Sequence, residues 1–233
     1  VISSETASIL VDDKHTMDII RRFLADFIPE KLSCLRFCDQ DFVLFDRYQI
    51  DDQIEAALNR QVALKSGGYL IIDQTEAMTT IDVNTGGFVS GKDLEDTVYR
   101  TNLEASAAIP RQLRLRNLGG IIIIDFIDMI DEEHKRQVLR VLEKGISADR
   151  VKCNLTQLSE LGLVEMTRKR TYSSLLKTLC EPCEVCDGRG FIKSLDSVCF
   201  DIFTDLKRKS EQLEGKQCLI MASQAVIDHL LDE

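Results

Sequence analysis

No stretch of this sequence approaches the roughly 20 consecutive apolar residues that a membrane-spanning helix needs. The N-terminus, VISSETASIL, lacks the basic start and long apolar stretch of a secretory leader. It also lacks an initiator Met, so we expect a piece of a longer protein. Glycine-rich phosphate loops of the P-loop and dinucleotide types are missing, which removes two common nucleotide-binding fingerprints. The three histidines, His15, His134 and His229, stand apart from any Ser or Cys nucleophile pattern and read as surface or packing residues. Internal repeats and low-complexity tracts are also absent.

What remains is a globular chain. Its 233 residues, 44% of them hydrophobic, suffice for one large domain or two small ones with a real core. The formal net charge of −10 argues against nucleic-acid binding, which usually rests on Lys and Arg contacts to phosphate. The charge is uneven, however. RQLRLRN (Arg111, Arg114, Arg116) and TRKR (Arg168, Lys169, Arg170) are local basic clusters, open to a plain reading as solvated faces.

The apolar pattern predicts an α/β (α+β) chain. ASILV (7–11) and FVLF (42–45) are strand-like; between them Ile20, Phe23, Leu24 and Phe27 make one helix face that Pro29 ends. Ile54, Ala57 and Leu58 line a short helix. After Gly67 and Gly68, YLIID (69–73) and AMTTIDV (77–83) form a hairpin across QTE. A long helix is expected over about 93–117, with Ser90 and Asp93 as a capping pair and Pro110 kinking or dividing it. The run Ile121–Ile124 is a buried strand, followed by a helix over about 132–148. VKCNL (151–155) and LGLVEM (161–166) are two more strands, and a short helical stretch after Thr171 leads to a cysteine cluster. The tail holds a helix (Val198, Ile202, Leu206), a strand (218–221) and a final short helix.

Two features carry chemistry. Asp82, in TTIDVNTGGF, and Asp125, at the end of IIIID, each follow an apolar strand. An acid there is costly to bury unpaired, and two brought together at neighbouring strand ends would hold a hard cation such as Mg²⁺. Asn84 shares a strand face with Asp82 through the period of two. Spacing alone leaves open the plainer role of turn former or cap; Asp128 and Asp131 read as cap or surface residues. The second feature is CEPCEVCDGRGF. With no leader, a reducing compartment and a cytoplasmic location are expected, so the cluster reads as metal before disulfide. Cys183 and Cys186 form a zinc knuckle with Gly188 and Gly190 in its turn; Cys180 is a weaker third ligand. Tetrahedral zinc needs four ligands, which two copies of the chain could supply. A redox dithiol and plain buried thiols stay open as alternatives.

GGYLIIDQTEAMTTIDVNTGGF, TNLEASAAIPRQLRLRNLGGIIIIDFIDM, LGLVEMTRKR and CEPCEVCDGRGF resemble the bacterial ribonuclease E/G family, with wording closer to its ribonuclease G branch. The resemblance is strong over roughly residues 45–192. It implies a partial RNase H-like subdomain (1–66), a DNase I-like catalytic subdomain (67–178), a zinc link (179–192) and a truncated small dimerisation domain (193–233). It further implies Mg²⁺ on Asp82 and Asp125 with Asn84 assisting, and structural Zn²⁺ on Cys183 and Cys186 shared in a homodimer or larger assembly. The implied activity is endonucleolytic hydrolysis of single-stranded, often A/U-rich RNA, leaving 5′-phosphate products, in rRNA and mRNA processing and decay. RNA contacts are expected at Lys152, Arg168, Lys169 and Arg170. Lys152 stands where the family has an arginine that assists 5′-phosphate binding; a Lys keeps the charge but loses the planar fork. The family's N-terminal RNA-binding barrel and most of its 5′-end-sensing region are expected to be missing. Two other readings compete: a non-catalytic zinc-linked dimerisation or scaffold module that keeps the nuclease fold, and a DNA-directed nuclease with the same metal chemistry.

Overall fold

Burial alternates residue by residue along four strands, so one sheet face is covered and the other open. The computed structural model describes residues 2, 6–38, 44–87, 94–157, 159, 162–209 and 218–232. They form two compact units, residues 1–179 and 180–233.

The first unit begins with β1 (Ile9–Val11) paired in parallel with β2 (Leu35–Phe37). Between them runs α1 (Lys14–Phe27), capped by Asp13, whose carboxylate accepts the Thr16 N–H at 2.6 Å. Pro29 opens a 3₁₀ turn straight after it, as expected of a residue that cannot continue a helix. Of the anticipated apolar face only Leu24, with Met17, is buried; Phe23 and Phe27 stay exposed and touch each other. The strand expected at 42–45 is not found: Leu44–Arg47 is helical (α2), while Phe42 and Val43 lie outside the described residues. α3 (Ile50–Leu58) buries Ala57 as its periodicity predicts.

A six-stranded mixed sheet follows. It comprises β3 (Gln61–Ala63), β4 (Tyr69–Gln74), β5 (Met78–Asn84), β6 (Gly120–Asp125), β7 (Cys153–Leu155) and β8 (Leu163–Arg168). The order is β3-β4-β5-β6-β8-β7, and β5 and β6 are the one parallel pair in it. A parallel pair needs a crossover, which α4 (Leu94–Leu115) supplies. The expected capping pair at its start lies outside the described residues. Pro110 does not divide α4. The reason is packing: Pro110 is buried against α5 (Glu132–Ser147), so close that a Cβ on Gly145 would fall 2.6 Å from its ring.

One core joins the inward strand residues to both helices. Leu70, Ile81, Ile122, Ile124 and Val164 are fully buried against Ile109 of α4 and Val138 and Leu142 of α5. Where the segment before β4 meets the segment after β5, two glycines have no room for a side chain. A Cβ on Gly68 would meet the Asn84 carbonyl at 2.5 Å, and Gly86, at φ +69°, would meet the Gly67 carbonyl at 2.4 Å. A short helix, α6 (Leu175–Leu179), ends the unit.

The second unit holds the cysteine cluster, then α7 (Leu195–Arg208) and α8 (Gln224–Asp232), which pack together. Ser194 caps α7, Cys199 and Val226 are buried, and His229 lies 2.7 Å from Asp196. The strand expected at 218–221 is not formed; those residues carry no regular structure. No helix among the described residues is long and apolar enough to cross a membrane.

Candidate active site

Asp82 and Asp125 face each other in register across the parallel pair β5–β6. Adjacent strands run about 4.8 Å apart, so the two carboxylates rise side by side. Both lie on the open face of the sheet, because Ile81, Val83 and Ile124 take the covered one. The acids are therefore exposed rather than buried. Asn84 shares their face, and its Nδ2 donates to Asp82 Oδ2 at 2.9 Å.

The electrostatics of this pair are unfavourable as it stands. The Asp125 carboxyl is pushed above its ordinary range first by partial desolvation against the sheet, although the side chain is exposed, then by the negative charges of Asp82 and Asp128. Like charges held by a rigid backbone are the condition that a divalent cation relieves. Among the described residues no group of three or more His, Cys, Asp or Glu side chains is arranged to hold a metal. The donor set is two carboxylates and the Asn84 carbonyl. That all-oxygen, sparse set fits Mg²⁺, which keeps several waters and takes further ligands from a phosphate.

The loop after Asp125 is held from α4. Asn102 is fully buried; its Nδ2 donates to the Ile127 carbonyl at 2.8 Å and its Oδ1 accepts the Ile127 N–H at 3.1 Å. Glu95 accepts the N–H groups of Ile130 and Asp131. Asp131 caps α5 through the Glu133 N–H at 2.7 Å, as expected of it. Asp128 belongs to the electrostatic surroundings of Asp125, which nothing in its loop spacing announced. Asn102 did leave a signal: it falls on the buried stripe Val98, Asn102, Ala105, Ile109, where a polar residue calls for a partner.

Cations sit at two places on the first unit. Lys135 lines a cavity of about 290 Å³ with Asp128 and Ser159, and a second of about 680 Å³ with Arg136, Arg140 and Gln157. These cations alternate with glutamates, Lys135 pairing with Glu132 and Arg136 with Glu133, and they adjoin the loop that follows Asp125; sequence reading missed them. The expected RNA contacts lie elsewhere. Gly120 pairs with Arg168 while Asp125 pairs with Leu163, so the TRKR end of β8 is the far end of the sheet, about 17 Å along the strands from Asp125. Lys152, Lys169 and Arg170 are exposed there.

Arg168 is different and needs correction as a surface contact. It shares the inward phase of Val164 and Met166 and is only 4% exposed. Its Nε donates to Asp149 at 2.9 Å and its Nη1 to the Leu118 carbonyl at 2.7 Å. Burial pushes the Asp149 carboxyl up, but the Arg168 bond and the Val151 N–H outweigh it and hold the carboxyl below its usual range.

In the second unit all three clustered cysteines are free thiols, with Cys180 and Cys183 exposed. The backbone N–H groups of Cys186 and Val185, with the Cys186 thiol, hold the Cys183 thiol below its ordinary pKa. Asp187 and Gly188 turn at φ +51° and +76°, and the Asp187 N–H closes onto the Cys183 carbonyl at 2.7 Å. N–H groups aimed at a sulfur in a tight turn favour the thiolate that zinc requires. One chain offers two such donors here, half of a tetrahedral set.

The sequence matches the profile of the Ribonuclease E/G family over residues 1–171. It is 51% identical over 225 residues to Ribonuclease G of Salmonella typhimurium (strain SL1344), covering 97% of this chain and 46% of that protein. Against Ribonuclease G of Escherichia coli (strain K12) it is 49% identical over 230 residues, covering 99% and 47%. Against Ribonuclease E of the same strain it is 35% identical over 233 residues, covering 100% and 22%. The chain thus spans just under half the length of the Ribonuclease G relatives it matches.

Proposed function

The chain belongs to the Ribonuclease E/G family, and on that premise we propose that it carries the catalytic core of a Mg²⁺-dependent endoribonuclease acting on single-stranded RNA. The observation that carries the reading is the in-register pair Asp82–Asp125 on an open sheet face. An exposed pair suits a polymer, whose backbone can lie across the strands. Asp82 and Asp125 would hold Mg²⁺, with Asn84 fixing the orientation of Asp82 through its amide bond. Bound there, Mg²⁺ supplies charge neutralisation at the scissile phosphate and activation of water for hydrolysis that leaves a 5′-phosphate. The chain itself contributes position: the Asn102 and Glu95 clamps on α4 hold the loop that leaves Asp125, so the acids stay juxtaposed despite their repulsion.

Phosphate contacts fall to Lys135, Arg136 and Arg140 beside the acids and to Lys152, Lys169 and Arg170 at the far sheet end. Residues 1–66 correspond in this reading to part of an RNase H-like subdomain, 67–178 to a DNase I-like one, 179–192 to a zinc link and 193–233 to part of a small dimerisation domain. Cys183 and Cys186 of two copies would complete one tetrahedral zinc. The cellular task would be processing and decay of rRNA and mRNA in the cytoplasm.

The test is cleavage of 5′-monophosphorylated and 5′-hydroxyl oligoribonucleotides by this chain, with Mg²⁺ and with chelator. We expect cleavage in Mg²⁺ alone, lost in Asp82→Asn and Asp125→Asn with unchanged circular dichroism. Full activity of either variant would refute the assignment. A folded, zinc-linked dimer without cleavage would favour a scaffold instead.

A further inference from the structure

Arg116 is a buried cation without a counter-ion. It ends the long α4 helix and is 6% exposed. Its Nε donates to Gln112 Oε1 at 2.9 Å and its Nη1 to the Asn59 carbonyl at 2.7 Å, both neutral groups. Its Nη2 is buried and has no hydrogen-bond partner. Burial alone shifts its pKa, downward, and no carboxylate among the described residues pairs with it. A guanidinium taken out of water with a free N–H is expensive to leave so, and native interiors pair such groups.

Arg116 also lines a cavity of about 250 Å³. The walls are largely apolar: Ala57 and Leu58 of α3, Ile72 of β4, Leu118 and Leu176. The polar groups besides Arg116 are already engaged. Asp73 is held by both Nε and Nη2 of Arg60, and the Ser174 hydroxyl donates to Gln74 Oε1 at 2.9 Å. With Asp73 offset by Arg60, the lining keeps one unbalanced positive charge, and it is the buried one. An apolar slot with a single convergent cation is the form of a small-ligand site.

We propose that this cavity binds a small anion on an apolar body, a carboxylate or a phosphomonoester, with the unbalanced positive charge of Arg116 as its counter-charge. The site is separate from the acid pair: it opens on the β4 side near α3 and α6, and its lining shares no residue with Asp82, Asn84 or Asp125. The buried charge gives the anion its preference, and the apolar walls disfavour a bare hydrated ion.

The test is isothermal titration of this chain with benzoate, phenyl phosphate, inorganic phosphate and benzyl alcohol. We expect saturable one-to-one binding of benzoate or phenyl phosphate, at least tenfold tighter than of either control. Benzoate against phenyl phosphate distinguishes carboxylate from phosphate as the anionic group. Arg116→Met should weaken the aromatic anion at least tenfold. Because that change also removes the bonds to Asn59 and Gln112, Leu176→Trp provides a second variant: Leu176 is 45% exposed, and a larger side chain there narrows the slot without touching the guanidinium. It should abolish binding while leaving the unliganded melting temperature within about 2 °C. Equal binding of benzyl alcohol would overturn the role of the charge. Equal binding of inorganic phosphate, no saturable binding of any probe, or unchanged binding in Leu176→Trp would overturn the site.

Discussion

Replacing Asn102 by Leu tests how the candidate site is held in place. Leu is a better helix former than Asn, so a loss of stability cannot come from helix propensity, and the change deletes both bonds to Ile127. Each intramolecular hydrogen bond contributes about 1 kcal/mol net, and each peptide group left without a partner in a half-buried loop costs roughly 1–2 kcal/mol more. The sum is a destabilisation of about 4–6 kcal/mol in the unit that contains the sheet. That is a large part of the 5–15 kcal/mol typical of a domain, so the urea midpoint should fall clearly with little change in slope. Amide exchange gives the local readout: the Ile127 N–H, protected in the wild type, should exchange at the rate of an open loop. Asn102→Asp separates the two bonds, because it keeps an acceptor for the Ile127 N–H but turns an acceptor toward the Ile127 carbonyl. It should be no better than Leu. A Leu variant within about 0.5 kcal/mol of wild type, with Ile127 still protected, would refute the clamp.

Other consequences follow from the same structure. Arg168→Met leaves Asp149 buried without its partner and should cost about 3–5 kcal/mol by denaturant titration. Since the Asp149 carboxyl lies below its usual range in the fold, its contribution is present at neutral pH and lost as pH falls through the folded value; Asp149→Asn should flatten that acid limb. Asp125 has the opposite sign. Its raised carboxyl favours folding below the ordinary carboxylate range and loses that advantage as pH rises, so Asp125→Asn should stabilise the metal-free chain slightly at pH 7 and leave it unchanged near pH 3. Mg²⁺ should raise the melting temperature of the wild type and not of Asp82→Asn or Asp125→Asn; an equal rise in all three would argue for binding elsewhere. Cys183→Ser with Cys186→Ser should lose zinc and shift the mass from dimer to monomer; an unchanged zinc-to-chain ratio would reject the link. Gly145→Ala should destabilise by about 1–3 kcal/mol, since its methyl falls on the Pro110 ring, and a neutral result would mean that α4 and α5 yield easily.

The elements that could be read from sequence were those whose own residues decide them. Strands β4 and β5 and helix α5 declare themselves through their residue spacing and β6 through the run Ile121–Ile124, and they appear within a residue or two of expectation, although only Ile122 and Ile124 of that run are buried and Ile121 is exposed. Two other short apolar runs misled. FVLF and the run at 218–221 carry strand-like residues, yet strand pairing requires a neighbour that periodicity cannot supply; of their described residues, one pair is helical and the other run irregular. Pro110 misled for a related reason: the missing N–H disfavours a helix locally, while burial of its ring on Gly145 keeps α4 whole.

The candidate site divides the same way. Sequence by itself determined that Asp82, Asn84 and Asp125 end apolar strands, that Asn84 and Asp82 share a face, and that Cys183 and Cys186 belong to one turn, because each statement depends only on neighbours along the chain. It also carried the family wording. Only the tertiary structure decided that β5 and β6 run parallel with Asp82 opposite Asp125, that the pair stands on the open face, and that Asn102 holds the next loop. The same holds for Arg168, drawn inward by strand phase to Asp149, and for Arg116, drawn inward with no carboxylate partner among the described residues. A charged residue in a basic string looks solvated in sequence; whether it faces water, a carboxylate or an empty slot is set by which strand and helix close over it.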